Sequence, residues 1–272
     1  MMSITAHRAV TVEEYGRFRA DGYLVVRGVL APGEVGELIA HAEELPPVER
    51  QRIHMLHRTL EIHERYLLHP RVLDVVEGLI GPDVLALQTM LFLKPPGAPG
   101  QGYHQDSFHI ITKPDTLIGA WIALDRADEE NGCLLVTAGS QAEPIYPDAD
   151  ESKGHGGDHR LAGIEAVAHA DDPDETVNEL ARVAARYPGR EAAAVLEPGD
   201  AVFFGGHVLH RSHANRSATR SRRAFVSHYC DARSLVPWDD EPLADGEIGN
   251  ARHLLARGES HLPFARPRYG PM

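Results

Sequence analysis

From residue 84 onward the chain becomes a succession of short apolar segments at close spacing, and this pattern limits the possible folds more than any other feature. Such segments fall at 84–94, 103–111, 117–124, 133–136, 193–196, 201–204 and 223–230. Each has the length of a strand, and turn chemistry lies between them. Asn131-Gly132 is a hairpin signal, and Pro198-Gly199-Asp200 is a turn leading into the next run. Many short strands must protect their edges, which a sandwich or jelly roll does. The expected class is therefore mostly β with flanking helices, a sandwich or jelly roll over residues 84–230.

Residues 11–80 carry helical signals instead. Thr11 is placed to cap a helix through Arg19, with Glu13 and Glu14 in its first turn. A strand at Tyr23–Val26 follows, then a helix from Pro32 to Leu45. Two more helices fill 61–80, broken at His69-Pro70 and ended by Gly81-Pro82. No repeat or low-complexity linker divides the chain, so one domain spanning 1–272 is expected. Residues 141–189 turn polar and rich in Asp, Gly, Pro and His, with a helical pattern only at 174–186. A long irregular insertion of this kind reads as a lid or a surface loop. The stretch from Ser234 to Met272 carries no chemistry legible in the sequence.

Composition narrows the function. The formal charge is −13, from 27 basic and 40 acidic residues, which disfavours nucleic acid and anionic membranes as partners. The longest apolar run, 84–93, is too short to span a bilayer, and the N-terminal residues lack the apolar core of a secretory signal. Cys133 and Cys230 lie in apolar runs, as buried thiols of a reducing compartment do. The expectation is a cytoplasmic protein, monomer or homodimer, acting on a small molecule.

The 17 histidines invite a search for a metal site. A His-x-Asp pair on a strand points both side chains to one face, but this composition would yield about two or three His-x-Asp/Glu triplets by chance. Three occur, at His41, His104 and His169. His41 and Glu43 lie on a predicted helix and diverge, and His169 and Asp171 lie in the polar insertion. His104 and Asp106 alone sit at a strand candidate. A third ligand is available from His207, His210 or His213. Two histidines and one carboxylate form the facial triad of non-haem Fe(II) oxygenases, with three coordination positions left open. Such a centre needs a guanidinium for the far carboxylate of 2-oxoglutarate. Arg222 begins an apolar strand where it can serve, although Arg211, Arg216, Arg220 and Arg223 crowd the same region as a basic turn would.

A longer series of matches lies along the chain. It includes Gly22-Tyr23-Leu24-Val25-Val26, Gly81-Pro82-Asp83, Gln88-Thr89-Met90 through Pro96-Gly97, and His104-Gln105-Asp106-Ser107. It continues with Ala120-Trp121 through Asp125, Asn131-Gly132-Cys133-Leu134, Pro198-Gly199-Asp200, His210-x-Ser212 and Arg222-Arg223-Ala224. In these residues the chain resembles the phytanoyl-CoA dioxygenase family of Fe(II)/2-oxoglutarate oxygenases over most of 12–230.

The resemblance implies a double-stranded β-helix core. It implies His104, Asp106 and His210 as iron ligands, Arg222 as the 2-oxoglutarate anchor, Trp121 and Ser212 beside that co-substrate, and Gln88 facing the site. One extra residue before Arg222 leaves Arg223 or Arg220 as alternatives. Family halogenases have a small residue at the carboxylate position, so Asp106 implies hydroxylation. The implied reaction uses Fe(II), 2-oxoglutarate and O₂ to hydroxylate an unactivated C–H bond of a metabolite or biosynthetic intermediate, releasing succinate and CO₂. The alternatives are desaturation or cyclisation by the same chemistry, a metal-dependent cupin-like isomerase or lyase without 2-oxoglutarate, or a binding module that keeps the fold.

Overall fold

Thr11 caps the first helix with both halves of a capping box: its Oγ1 accepts from the Glu14 amide at 3.1 Å, and the Glu14 carboxylate accepts from the Thr11 amide at 3.0 Å. This helix, α1 (Val12–Asp21), ends at Gly22, whose φ of +84° completes the left-handed cap. The computed structural model describes residues 8–45, 53–149, 163–167 and 179–267. The helical layer continues with α2 (Pro32–Glu44), α3 (Glu61–Leu67) and α4 (Pro70–Ile80), as the sequence predicts. Pro32 and Pro70 stand in first turns, where a missing N–H leaves no bond unmade.

Eleven strands make two sheets among the described residues. They are β1 (Tyr23–Val26), β2 (Ile53–His54), β3 (Val84–Lys94), β4 (Gln101–His104), β5 (Ile118–Ala123) and β6 (Leu134–Thr137), then β7 (Glu191–Ala193), β8 (Ala201–Gly205), β9 (His210–Ser212), β10 (Arg222–Asp231) and β11 (Leu254–Arg257). One sheet runs β1-β8-β5-β10-β3-β11, with β2 also on β3; the other runs β4-β9-β6-β7. Together they form the double-stranded β-helix.

Side-chain alternation divides the large sheet into two working faces. Ile118, Ala120 and Ile122 of β5 and Phe225 and Tyr229 of β10 pack with Leu38, Val72 and Val75 of the helices. Trp121, Val202, Phe204, Ala224 and Val226 point the other way, toward Leu134 and Val136 of the second sheet. Burying each large apolar side chain contributes roughly 1.5–3 kcal/mol. The same alternation places Arg222 and His228 with Ala224 and Val226 on the inner face.

The structure corrects four expectations. The segment 103–111 is not one strand: β4 stops at His104, and Asp106–His109 form a short helical turn, α5. Asn131-Gly132 does not close a hairpin, since β5 and β6 belong to different sheets. Asn131 instead organises a crossover turn, accepting from the Asp128 amide and donating to the carbonyls of Arg126 and Ser221. The strand expected at 193–196 lies earlier, as β7 at Glu191–Ala193, while the C-terminal stretch contributes β11, paired to β3. Of the helix expected at 174–186, α6 covers Leu180–Ala184, and residues 174–178 lie outside the described ones, as do His169 and Asp171. No described helix is long and apolar enough to cross a membrane.

Candidate active site

The two histidines of the expected triad face each other because β4 and β9 pair with His104 opposite His210. Directly paired residues on adjacent strands hold their side chains in contact, and the two ring centroids lie 4.0 Å apart. His104 Nδ1 donates to the Gly102 carbonyl at 2.9 Å, and His210 Nδ1 donates to the Val208 carbonyl at 3.0 Å. Each Nε2 lone pair is thereby left facing inward.

Asp106 completes the group from the first turn of α5, two residues beyond His104 but no longer on its strand. Its Oδ1 lies 3.7 Å from His104 Nε2 and 3.5 Å from His210 Nε2. The Ser107 amide donates to the Gly206 carbonyl at 3.0 Å, fixing this turn against the β8–β9 connection. Gly206 is required there, since a Cβ at that position would run into the Ser107 hydroxyl. Burial, with the neighbouring His210 ring adding to it, pushes His104 down to about 3. Burial alone would raise the Asp106 carboxyl, but His210, His228 and His104 outweigh it and hold it well below the usual carboxylate range. Two neutral imidazole nitrogens and one carboxylate oxygen converging without a thiolate fit a divalent ion such as Fe(II).

A cavity of about 330 Å³ opens beside the triad. Arg222, Trp121, Ser212 and Gln88 all line it. Arg222 is 4% exposed, its Nε has no hydrogen-bond partner among the described residues, and its guanidinium lies 5.3 Å from the Trp121 ring centroid. Burial pushes it down to about 10. Its rivals are engaged elsewhere: Arg223 is bound by Asp125 and Glu43, and Arg220 by Asp128 and Glu130. A buried guanidinium of this kind demands an anion. Ser212 Oγ accepts from the buried Lys94 Nζ at 3.0 Å, so its own proton is free to point elsewhere.

His207, one of the candidates for third ligand, is held away from the triad by the Asp115 carboxylate at 2.9 Å and the Glu143 carbonyl at 2.8 Å. His41 sits in α2 with its Nε2 3.1 Å from His63 Nε2.

Several wall residues were missed. His228 reaches Asp106 Oδ2 at 3.0 Å. It stands six residues beyond Arg222 on the same strand, so the period of two already put both on one face. Trp238 and Asp239 also line the cavity, with Asp239 bound at both oxygens by Arg58. No local pattern marks them, because the segment bearing them is irregular and is held by long-range contacts.

The family model described as phytanoyl-CoA dioxygenase (PhyH) matches residues 18–224. The peroxisomal phytanoyl-CoA dioxygenase of Rattus norvegicus is 31% identical over 231 residues, which cover 81% of this chain and 62% of that protein. Among solved structures, the epimerase SnoN from nogalamycin biosynthesis, in complex with Fe3+, alpha ketoglutarate and nogalamycin RO, is 23% identical. It superposes with a TM-score of 0.63 over 82% of this chain and 84% of its own. CytC3 with Fe(II) and alpha-ketoglutarate is 20% identical, with a TM-score of 0.64 over 96% and 94%. At these identities the two structures speak for the fold, and the rat protein extends well beyond the part this chain spans.

Proposed function

This chain belongs to the phytanoyl-CoA dioxygenase family, and from that premise we propose that it is a 2-oxoglutarate-dependent non-haem iron dioxygenase that oxidises a C–H bond of a small molecule. One observation carries this reading beyond metal binding: the buried Arg222, with its Nε unpartnered, in the cavity that the triad also lines.

His104, Asp106 and His210 would hold Fe(II). The bound iron, with 2-oxoglutarate and O₂, supplies an oxidant for an unactivated C–H bond and releases succinate and CO₂. The chain's own groups do the rest. Arg222 binds the distal carboxylate of 2-oxoglutarate, for which its planar fork is suited. Ser212, its oxygen already accepting from Lys94, donates its hydroxyl proton toward the same carboxylate. Trp121 places its ring 5.3 Å from the guanidinium, within cation–π range. The Gly102 and Val208 carbonyls keep both imidazoles in the metal-binding tautomer.

The retained Asp106 favours hydroxylation as the outcome, although the fold also supports an epimerase. The substrate is proposed to be a metabolite or biosynthetic intermediate; a net charge of −13 disfavours the polyanionic coenzyme A thioesters. A cupin-like isomerase or lyase would leave the Arg222 guanidinium without a purpose.

The test is anaerobic addition of Fe(II) and 2-oxoglutarate to metal-free protein, watched for the visible charge-transfer band of a chelated keto acid. A band that is absent in His210→Ala and weakened in Arg222→Met supports the reading. Bound iron without a band overturns it in favour of the isomerase or lyase.

A further inference from the structure

We infer that His228 is a positioning residue that holds Asp106 to the metal through one oxygen only. The inference rests on the metal-centre reading above and concerns a contact which that reading does not use.

The two oxygens of Asp106 face different partners. Oδ1 looks toward the imidazole nitrogens of His104 and His210 at 3.7 and 3.5 Å. Oδ2 is turned away and takes His228 Nε2 at 3.0 Å. A carboxylate oxygen is a pure acceptor, so the proton of this bond belongs to His228 Nε2. The neutral ring then carries its lone pair on Nδ1, which calls for a donor. Gln88 Nε2 lies 3.1 Å from that nitrogen, and the amide is a donor there. The result is a directed chain, Gln88 to His228 to Asp106.

The fold makes the chain rigid. His228 is 3% exposed and Gln88 4% exposed. The two are register partners on β10 and β3, immediately before the irregularity that shifts the pairing between His228 and Tyr229. The other neighbour of His228 in the sheet is Gly119 on β5. The ring is thus fixed by two central strands, while Asp106 sits on the short turn α5, the least regular of the three ligand-bearing segments. Positioning from the sheet supplies what that turn lacks.

The consequence is a count of coordination sites. A six-coordinate ion bound by two imidazoles and one carboxylate oxygen keeps three positions, enough for a two-toothed keto acid and O₂. If Asp106 used both oxygens, one of those positions would be lost. By engaging Oδ2, His228 keeps it open and aims Oδ1 at the metal.

The test is titration of metal-free full-length protein with Mn(II), reading free Mn(II) by electron paramagnetic resonance, beside thermal unfolding of each metal-free variant. His228→Leu is expected to raise the Mn(II) dissociation constant about 10- to 100-fold, the usual effect of removing such a partner. His228→Gln, which restores an N–H donor, is expected to stay within about 3-fold of the unaltered protein. Gln88→Met leaves the ring in place but removes its donor, so it is expected to weaken Mn(II) in the same direction by less than His228→Leu does. It also carries the test if His228→Leu does not fold. The inference is overturned if His228→Leu binds Mn(II) as the unaltered protein does, or if the Leu and Gln variants weaken it equally with matched unfolding temperatures. Failure of the unaltered protein to bind Mn(II) would instead overturn the metal-centre reading, and this inference with it.

Discussion

His104 and His210 each donate Nδ1–H to the carbonyl of the residue two positions earlier in their own chain segment, Gly102 and Val208, at 2.9 and 3.0 Å. Because the two residues are also register partners, one local device is used twice across a single strand pair. Both Nε2 atoms are preset for a metal without help from distant side chains.

Metal should therefore bind to a largely formed site and stabilise the folded state by mass action. At a free Mn(II) concentration about 100 times the dissociation constant, the gain is about 2.7 kcal/mol. His210→Ala is expected to abolish this rise in unfolding temperature while leaving the metal-free protein folded. Thermal unfolding with and without Mn(II) checks both halves.

Arg222 carries opposite costs for stability and for binding. The Nε of its buried guanidinium has no hydrogen-bond partner among the described residues, and burial disfavours its charge, so Arg222→Met is expected to be at least as stable as the unaltered protein. The same change is expected to weaken 2-oxoglutarate binding to the Mn(II)-loaded protein about 10- to 100-fold, the worth of a charge-assisted pair of hydrogen bonds. Calorimetric titration and unfolding together check it; loss of Mn(II) binding in this variant would contradict it.

The His207–Asp115 pair links the turn bearing Asp106 to the β8–β9 connection, since Asp115 also accepts from the Ser107 hydroxyl. Burial would lower His207, but the Asp115 carboxylate and the Glu143 carbonyl outweigh it and raise it above the ordinary value of 6.5. A raised imidazole contributes stability that is full below its unfolded value and is lost as pH rises through its folded one. Asp115, which burial would raise and His207 lowers more, contributes above 3.8 and loses that contribution in acid. The stability difference between the unaltered protein and His207→Asn is thus expected to be largest between about pH 4 and 6.5 and to shrink toward pH 9. Unfolding temperatures across that range measure it.

The cavity wall at Trp238 and Asp239 depends on Arg58. The Asp239 side chain is fully buried, and Arg58 binds both its oxygens, at 3.0 and 2.5 Å. Arg58→Met would leave that carboxylate with the Glu241 amide at 2.9 Å and Arg252 at 3.7 Å. The expected loss is about 2–3 kcal/mol, low for a broken buried pair because Arg252 stays near. Urea unfolding checks the magnitude.

Local order was legible in the residues themselves. The Thr11 cap, the proline-opened helices and the full length of β3 follow from interactions within a few positions. His104 and Asp106 stood out by their place at a strand candidate, whereas His210 and Arg222 were singled out from their neighbours only by the resemblance to the family.

What only the tertiary structure decided was which groups meet across the chain. Arg222 differs from Arg220 and Arg223 because acidic residues far away in sequence neutralise the other two. Asp106 left the strand because Gly206, a hundred residues on, lets the turn bearing it pack close. His228 meets Asp106, and Trp238 closes the cavity, through pairings that no local pattern encodes. A side chain's face is set by its neighbours along the backbone, but its partner is set by the closing of the sheets, and that belongs to the whole chain.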